Sequence, residues 1–260
     1  VPTILDDIVA ATRQTIAADK AATPLTELRA QIRDLPPTKD FYGSLAATTR
    51  VRLIAEVKRA SPSAGLIRAD FDPVEIAKTY ESAGAACISV LTDKPFFQGD
   101  LNYLRQIRAA VALPLLRKDF IVDSYQLVQA RAAGADCVLL IAECLSPAEL
   151  KALHDEALEL GMQTLIELYD LDNVDAVLET GTKLVGVNNR DLRTFKTDLR
   201  HTLKVRQMIP DGRLVVGESG IATPDDVRLL AEGGVKAILV GESLMRQPDI
   251  GTAVKKLMAY

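Results

Sequence analysis

Ile54-Ala-Glu-Val-Lys-Arg-Ala-Ser-Pro-Ser-Ala-Gly65 runs from an apolar strand into a Ser/Pro/Gly loop, with two opposite charges, Glu56 and Lys58, at the junction. Strand side chains alternate between faces, so Ile54, Glu56 and Lys58 point the same way. A carboxylate and an ammonium on one side of a strand's C-terminal end have two readings. One is a structural ion pair, which is weak evidence for stability. The other is an active site at the mouth of a parallel sheet or barrel.

The stretch is the first of a series. Runs rich in Val, Ile and Leu recur at 51–57, 86–91, 113–116, 136–141, 163–168, 183–187, 214–217 and 237–240, separated by amphipathic segments of helical length. Asp72-Pro-Val-Glu75 and Ser146-Pro-Ala-Glu149 each supply an N-cap, a proline at the first helical position and a glutamate at the third, and Thr223-Pro-Asp-Asp226 is a near variant. Glycines 84, 134, 161, 181 and 234 stand where those helices should end. Eight strand–helix repeats with strands apolar on both faces predict an α/β fold, a closed (β/α)8 TIM barrel over residues 51–260. An open doubly wound sheet is the alternative, but no G-x-G-x-x-G follows the first strand.

Residues 1–50 lie outside the repeat. Thr3 can cap a helix with apolar positions Ile4, Leu5, Ile8, Val9 and Ile16, and Thr23-Pro24 starts a second helix that ends before Pro36-Pro37. Two short helices bury too little surface to fold alone, so an N-terminal helical extension packed on the barrel is expected, within one structural domain.

A chain of 260 residues, 48% apolar and 25% charged, has the composition of a soluble globular protein. Its net charge of −4, with no Lys/Arg block, argues against nucleic-acid binding. The longest apolar run, 137–142, is too short to span a bilayer, and no signal peptide opens the chain. Three cysteines without C-x-x-C spacing predict a reducing, cytoplasmic setting and no metal site. Both histidines, His154 and His201, fall in helical patterns and are expected at the surface, which leaves proton chemistry to Lys and Glu.

In a barrel of this type the strand C-termini and the loops after them carry the chemistry. Strand one ends in Glu56 and Lys58, followed by Ser61. Strand three ends in Leu116-Arg-Lys-Asp-Phe120, with Lys118 on the face of Leu116. Strand five ends in Glu167 and strand six in Val187-Asn-Asn-Arg190, with Asn188 and Arg190. The last two strands run into Glu218-Ser-Gly220 and Gly241-Glu-Ser243. Six polar strand ends on one face are hard to explain by packing. Ser219, Gly220, Gly241, Glu242 and Ser243 combine small residues with short helix N-termini, a setting that favours phosphate; Arg190 adds a charged donor.

Together these segments resemble the indole-3-glycerol phosphate synthase family over essentially the whole chain. The resemblance rests on 54–65, Leu116-Arg-Lys-Asp-Phe-Ile121, Leu165-Ile-Glu167, Gly186-Val-Asn-Asn-Arg-Asp-Leu192, Gly217-Glu-Ser-Gly-Ile221 and Val240-Gly-Glu-Ser-Leu-Met-Arg246. It departs at Asp100, where a small hydroxyl residue is expected after Phe96-Phe-Gln-Gly99. The resemblance implies closure of the pyrrole ring of 1-(2-carboxyphenylamino)-1-deoxyribulose 5-phosphate with loss of CO2 and water.

It further implies Lys118 as general acid, Lys58 at the aryl carboxylate or the ketone, and Glu56 and Glu167 as an acid–base pair. Asn188 and Glu218 would hold hydroxyls and orient the lysines. Ser61 would support the first loop or the carboxylate. Phe97, Phe120 and Leu139 would line an aryl pocket, although Phe120 and Leu139 read equally well as barrel packing. Neighbouring positive charge and burial are expected to lower the lysine pKa. No cofactor is implied, because protonated lysines can supply the positive charge a metal would bring. A monomer with a sugar-phosphate substrate and no fused isomerase barrel is expected. Two other readings stay open: an isomerase of phosphoribosyl compounds, against which the Lys-rich mouth argues, and a non-catalytic sugar-phosphate sensor.

Overall fold

In the computed structural model, which describes residues 3–191, 194 and 196–260, the eight apolar runs close on themselves as parallel strands. The strands are β1 (Arg52–Val57), β2 (Cys87–Leu91), β3 (Leu115–Lys118), β4 (Cys137–Ile141), β5 (Gln163–Leu168), β6 (Leu184–Asn188), β7 (Leu214–Glu218) and β8 (Ala237–Val240). Each pairs with its sequence neighbours, and β1 closes the ring by pairing with both β2 and β8. Closure leaves the barrel without a sheet edge, and alternation sends one set of side chains inward and the other toward the helices. Ile54, Leu116, Leu139, Leu165, Leu184 and Val216 fill the interior, while Leu53, Val90, Leu140, Ile166 and Val185 pack in the outer shell.

The third strand begins later than the sequence suggests, at Leu115 and not at 113. Pro114 has no N–H for the ladder, although its carbonyl accepts from Ile88 N at 3.0 Å. The shift brings Lys118 into β3 opposite Leu91.

Before the barrel come α1 (Ile4–Ala22), α2 (Leu25–Ile32) and α3 (Phe41–Ala46); α4 (Pro73–Ser82), α5 (Leu101–Ala110), α6 (Ser124–Ala132), α7 (Pro147–Glu159), α8 (Val174–Glu179) and α9 (Arg200–Arg206) follow the first six strands. After β7 comes α10 (Pro224–Glu232), and after β8 come α11 (Glu242–Met245) and α12 (Ile250–Leu257). Thr3, Ser146 and Thr223 form capping boxes, and Asp72 accepts from the Val74 and Glu75 amides. Gly84, with φ 94°, is one of five glycines that leave a helix in the left-handed region.

Ile16 of α1 and Leu28 of α2 pack on Tyr125 and Val128 of α6. The short α3 had no signal in the periodicity; it seats Phe41 and Leu45 against the barrel interior from the N-terminal end. Among the described residues no helix is long and apolar enough to cross a membrane.

The histidines differ from expectation. His154 is buried and its Nδ1 lies 2.7 Å from Thr164 Oγ1, with burial lowering its pKa. His201 is half-buried, stacks on Tyr169 and bonds the Tyr169 carbonyl at 2.8 Å. Their helices turn these positions inward, a choice that periodicity assigned to neighbouring apolar residues.

Candidate active site

A cavity of about 460 Å³ opens at the C-terminal end of the barrel, and every site residue named from the sequence lines it. The strand register explains the convergence. Ile141 faces Glu167 across β4–β5, Glu167 faces Gly186 across β5–β6, and Asn188 faces Glu218 across β6–β7. The side chains at these strand ends therefore share one layer above the apolar interior.

Lys118 stands at the centre. Its Nζ donates to Glu167 Oε2 at 2.8 Å and to Glu218 Oε2 at 2.9 Å. Glu167 Oε1 also accepts from Asn188 Nδ2 at 3.1 Å, and Asn188 Oδ1 accepts from the Arg190 amide at 3.0 Å. On the first strand, Lys58 Nζ lies 2.6 Å from Glu56 Oε1. The two initial readings of that strand end thus coexist: it is an ion pair, and it faces the cavity.

Two glycines make room for the carboxylates. A Cβ on Gly186 would lie 2.4 Å from Glu218 Oε1, and one on Gly241 would lie 2.4 Å from Glu56 Oε1. Any side chain at either position would displace the acid behind it.

Electrostatics reverses one expectation. Burial pushes the Lys118 pKa down, but the negative charges of Glu167, Glu218 and Glu56 outweigh it and hold the ammonium well above the usual lysine range. The sequence-based expectation of a lowered lysine pKa fails because the groups nearest in space are carboxylates from β5, β7 and β1, not cations. The two acids beside Lys118 move in opposite directions. Burial raises both, but Lys118 and the Asn188 amide bring Glu167 below the usual carboxyl value. Burial also raises Glu218, against the pull of Lys118 and with the charge of Glu167 adding to it, so that it is pushed up to about 8. The surroundings thus push the two acids apart, Glu167 toward the ionised form and Glu218 toward the protonated one, and they titrate as a pair.

The opposite rim is built from the last two loops and β6. Ser219 and Gly220 both have left-handed backbones, φ 67° and 77°; for a non-glycine residue this strain is common at ligand clamps. Ser243 Oγ donates to the Ile221 carbonyl at 2.8 Å and ties the two loops together. Arg190 Nη1 donates to Ser63 Oγ at 2.7 Å, its Nη2 lies 3.7 Å from Glu242 Oε2, and Glu242 is braced by Arg246 at 3.1 Å. Ser61 Oγ accepts from Ala64 N at 3.2 Å inside the first loop. Phe97 and Phe120 face each other with ring centroids 6.0 Å apart, and Leu139 both lines the cavity and joins the interior core.

Several lining residues lie outside the site read from the sequence. Ile4, Leu5 and Ile8 of α1 form part of the wall, and Ser63 and Arg246 reach the rim. The apolar stripe of α1 was legible, but its packing partner was not. Asp100, the departure from the family pattern, caps α5 by accepting from Asn102 N at 2.9 Å and pairs with Lys94 at 3.2 Å. A serine would cap the same amide, so the substitution leaves the helix start intact. Among the described residues, no group of three or more His, Cys, Asp or Glu side chains is placed to hold a metal ion.

Residues 5–257 match the family model described as indole-3-glycerol phosphate synthase. The chain is 68% identical over 257 residues to "Indole-3-glycerol phosphate synthase" of Rhodopirellula baltica, covering 99% of both chains. It is 51% identical to the protein of the same name from Chromobacterium violaceum, covering 98% of this chain and 97% of that one. Among solved structures, 3-hexulose-6-phosphate synthase from Salmonella typhimurium superposes with a TM-score of 0.65 over 80% of this chain and 97% of the other. At 14% identity that likeness concerns the fold alone.

Proposed function

The chain belongs to the indole-3-glycerol phosphate synthase family, and from that premise we propose that it closes the indole ring of 1-(2-carboxyphenylamino)-1-deoxyribulose 5-phosphate, with loss of CO2 and water, in tryptophan biosynthesis. The observation that carries the reading is Lys118 held between Glu167 and Glu218 in a cavity that also presents the Lys58–Glu56 pair.

The substrate's phosphate takes the Ser219–Gly220 turn, Gly241, Ser243 and Arg190. The Ser243 hydroxyl and the Glu242 carboxylate already have partners, so these residues contribute the amides at the start of α11. Phe97, Phe120 and Leu139 hold the aryl ring, with Ile8 of α1 closing the wall. Lys58 pairs with the aryl carboxylate, and Ser61 supports the loop beside it.

Ring closure needs a proton on the ketone oxygen as the aromatic carbon attacks. Lys118, kept charged by its carboxylates, supplies it, and release of CO2 restores aromaticity. Dehydration then needs a base and an acid. Glu167 takes a proton and Glu218 gives one to the leaving hydroxyl, while Glu56 holds Lys58 in place or shares in the proton transfer. Asn188 fixes the Glu167 carboxylate for this step.

The N-terminal helices, residues 1–50, work as part of the barrel, since α1 supplies cavity wall. We assign the protein to the cytoplasm as a monomer; its free thiols Cys87, Cys137 and Cys144 suit that setting. Mixing the protein with the carboxyphenylamino-deoxyribulose phosphate should give rising indole fluorescence and release of CO2. A stable complex with neither signal would leave a sugar-phosphate sensor.

A further inference from the structure

The loop after β2 carries Phe97 into the cavity, and what holds it there lies behind the cavity. Asp93 is 5% exposed and does not line the active-site cavity. It belongs to the wall of a second one, about 320 Å³, between the N-terminal helices and this loop. Asp93 Oδ1 accepts from the backbone N–H of Phe96 at 2.9 Å and of Phe97 at 3.1 Å, and its carbonyl accepts from Gly99 N at 2.7 Å. The loop closes tightly on itself: a Cβ on Gly99 would lie 2.5 Å from the Leu91 carbonyl, and Gln98 is left-handed with φ 50°. One carboxylate oxygen thus fixes the amide of the residue whose ring faces Phe120.

We propose that Asp93 is a positioning residue for the reaction: by bonding the Phe96 and Phe97 amides from outside the cavity, it sets the Phe97 ring against the substrate's aryl group without touching substrate. The inference rests on the aryl pocket assigned above. Asp93 has no ion-pair partner among the described residues. Burial pushes its carboxyl up to about 6; the Phe96 amide pulls it down, Asp119 adds to the push and the Phe97 amide resists it. A buried carboxylate without a counter-ion costs stability. That cost is what a loop held for function tolerates. Beside it, Asp119 Oδ1 accepts from the Phe120 amide at 2.9 Å and its Oδ2 accepts from Thr92 Oγ1 at the start of the same loop, so both aromatic residues hang from buried aspartates.

The test is a double-mutant cycle between Asp93 and Phe97, read as KM and kcat. Phe97→Ala should raise KM about tenfold, Asp93→Ala should raise it by a similar factor with kcat little changed, and the double variant should be no worse than Phe97→Ala alone. Asp93→Asn, which keeps the acceptor oxygen, should restore near-normal KM. Independent, multiplying effects or an unchanged KM in Asp93→Ala would overturn the inference. If Asp93→Ala does not fold, the same cycle with Asp93→Glu decides by the same criterion. An unaltered KM in Phe97→Ala would instead remove the aryl-pocket assignment, a separate failure.

Discussion

At the N-terminal end of the barrel, Asp136 accepts from the backbone N–H groups of Lys39 and Leu115, each at 2.7 Å, and pairs with Arg108. Nearby, Gln163 accepts from the Tyr42 amide at 2.7 Å and donates to Asp40 at 3.0 Å. At the C-terminal end, Lys118, Glu167, Glu218 and Asn188 bond mainly to one another, and Glu218 Oε1 is buried with no hydrogen-bond partner among the described residues. Arg190 Nε is likewise unpartnered there. Both ends bury charge. One end spends it on backbone amides that the fold itself supplies; the other sets ionisable side chains against each other and leaves capacity for a ligand. At these two ends, polar burial therefore reads as stability where amides of the barrel frame are the partners, and as chemistry where the partners titrate.

Exchanging charges at the two ends should break this contrast in opposite ways. Lys118→Met should reduce kcat roughly 10³–10⁴-fold while substrate still binds, measured by indole fluorescence and by ligand titration. Near-normal turnover would remove Lys118 from the acid role. Glu167→Gln should slow kcat about 10²-fold or more, and an effect confined to KM would make it a binding residue.

Asp136→Ala should leave kcat unchanged and cost about 3–5 kcal/mol in urea unfolding, because Arg108 and two amides lose their partner. A loss of activity without a loss of stability would erase the distinction between the ends.

Glu218→Gln sharpens the comparison through pH. Between the ordinary carboxyl value of 4.5 and about 8, the folded protein keeps a proton on Glu218 that the unfolded chain has released. Stability from this group is thus complete at low pH and lost as pH rises through that window, on the order of 1 kcal/mol per pH unit. The Gln variant should lack this slope in unfolding free energies measured across the window; an unchanged slope would mean Glu218 is already ionised. The smallest effect belongs to Asp100→Ser, which should alter stability by less than about 0.5 kcal/mol, since one cap replaces another and only an exposed ion pair is lost.

Local rules made much of the molecule legible. The apolar runs, the Asp72, Ser146 and Thr223 caps and the helix-ending glycines are read within a few residues, and each formed as the local pattern implied. The polar strand ends were legible for a related reason: a parallel barrel sends every strand's C-terminal end to one rim, so Glu56, Lys118, Glu167, Asn188 and Glu218 needed only the topology to meet. Short or ambiguous elements were not legible. The six residues of α3 carry too little periodicity to stand out, and the helical pattern alone leaves His154 at the surface, because its helix face depends on what packs against it.

The sequence alone determined the strand count, the direction of the chemistry-bearing ends and the family, because these follow from periodicity, capping and motif spacing along the chain. Tertiary structure alone decided which charges became neighbours. Lys118 is raised and not lowered, and Glu218 is pushed up while Glu167 is held down, because electrostatic energies depend on distances across strands far apart in sequence.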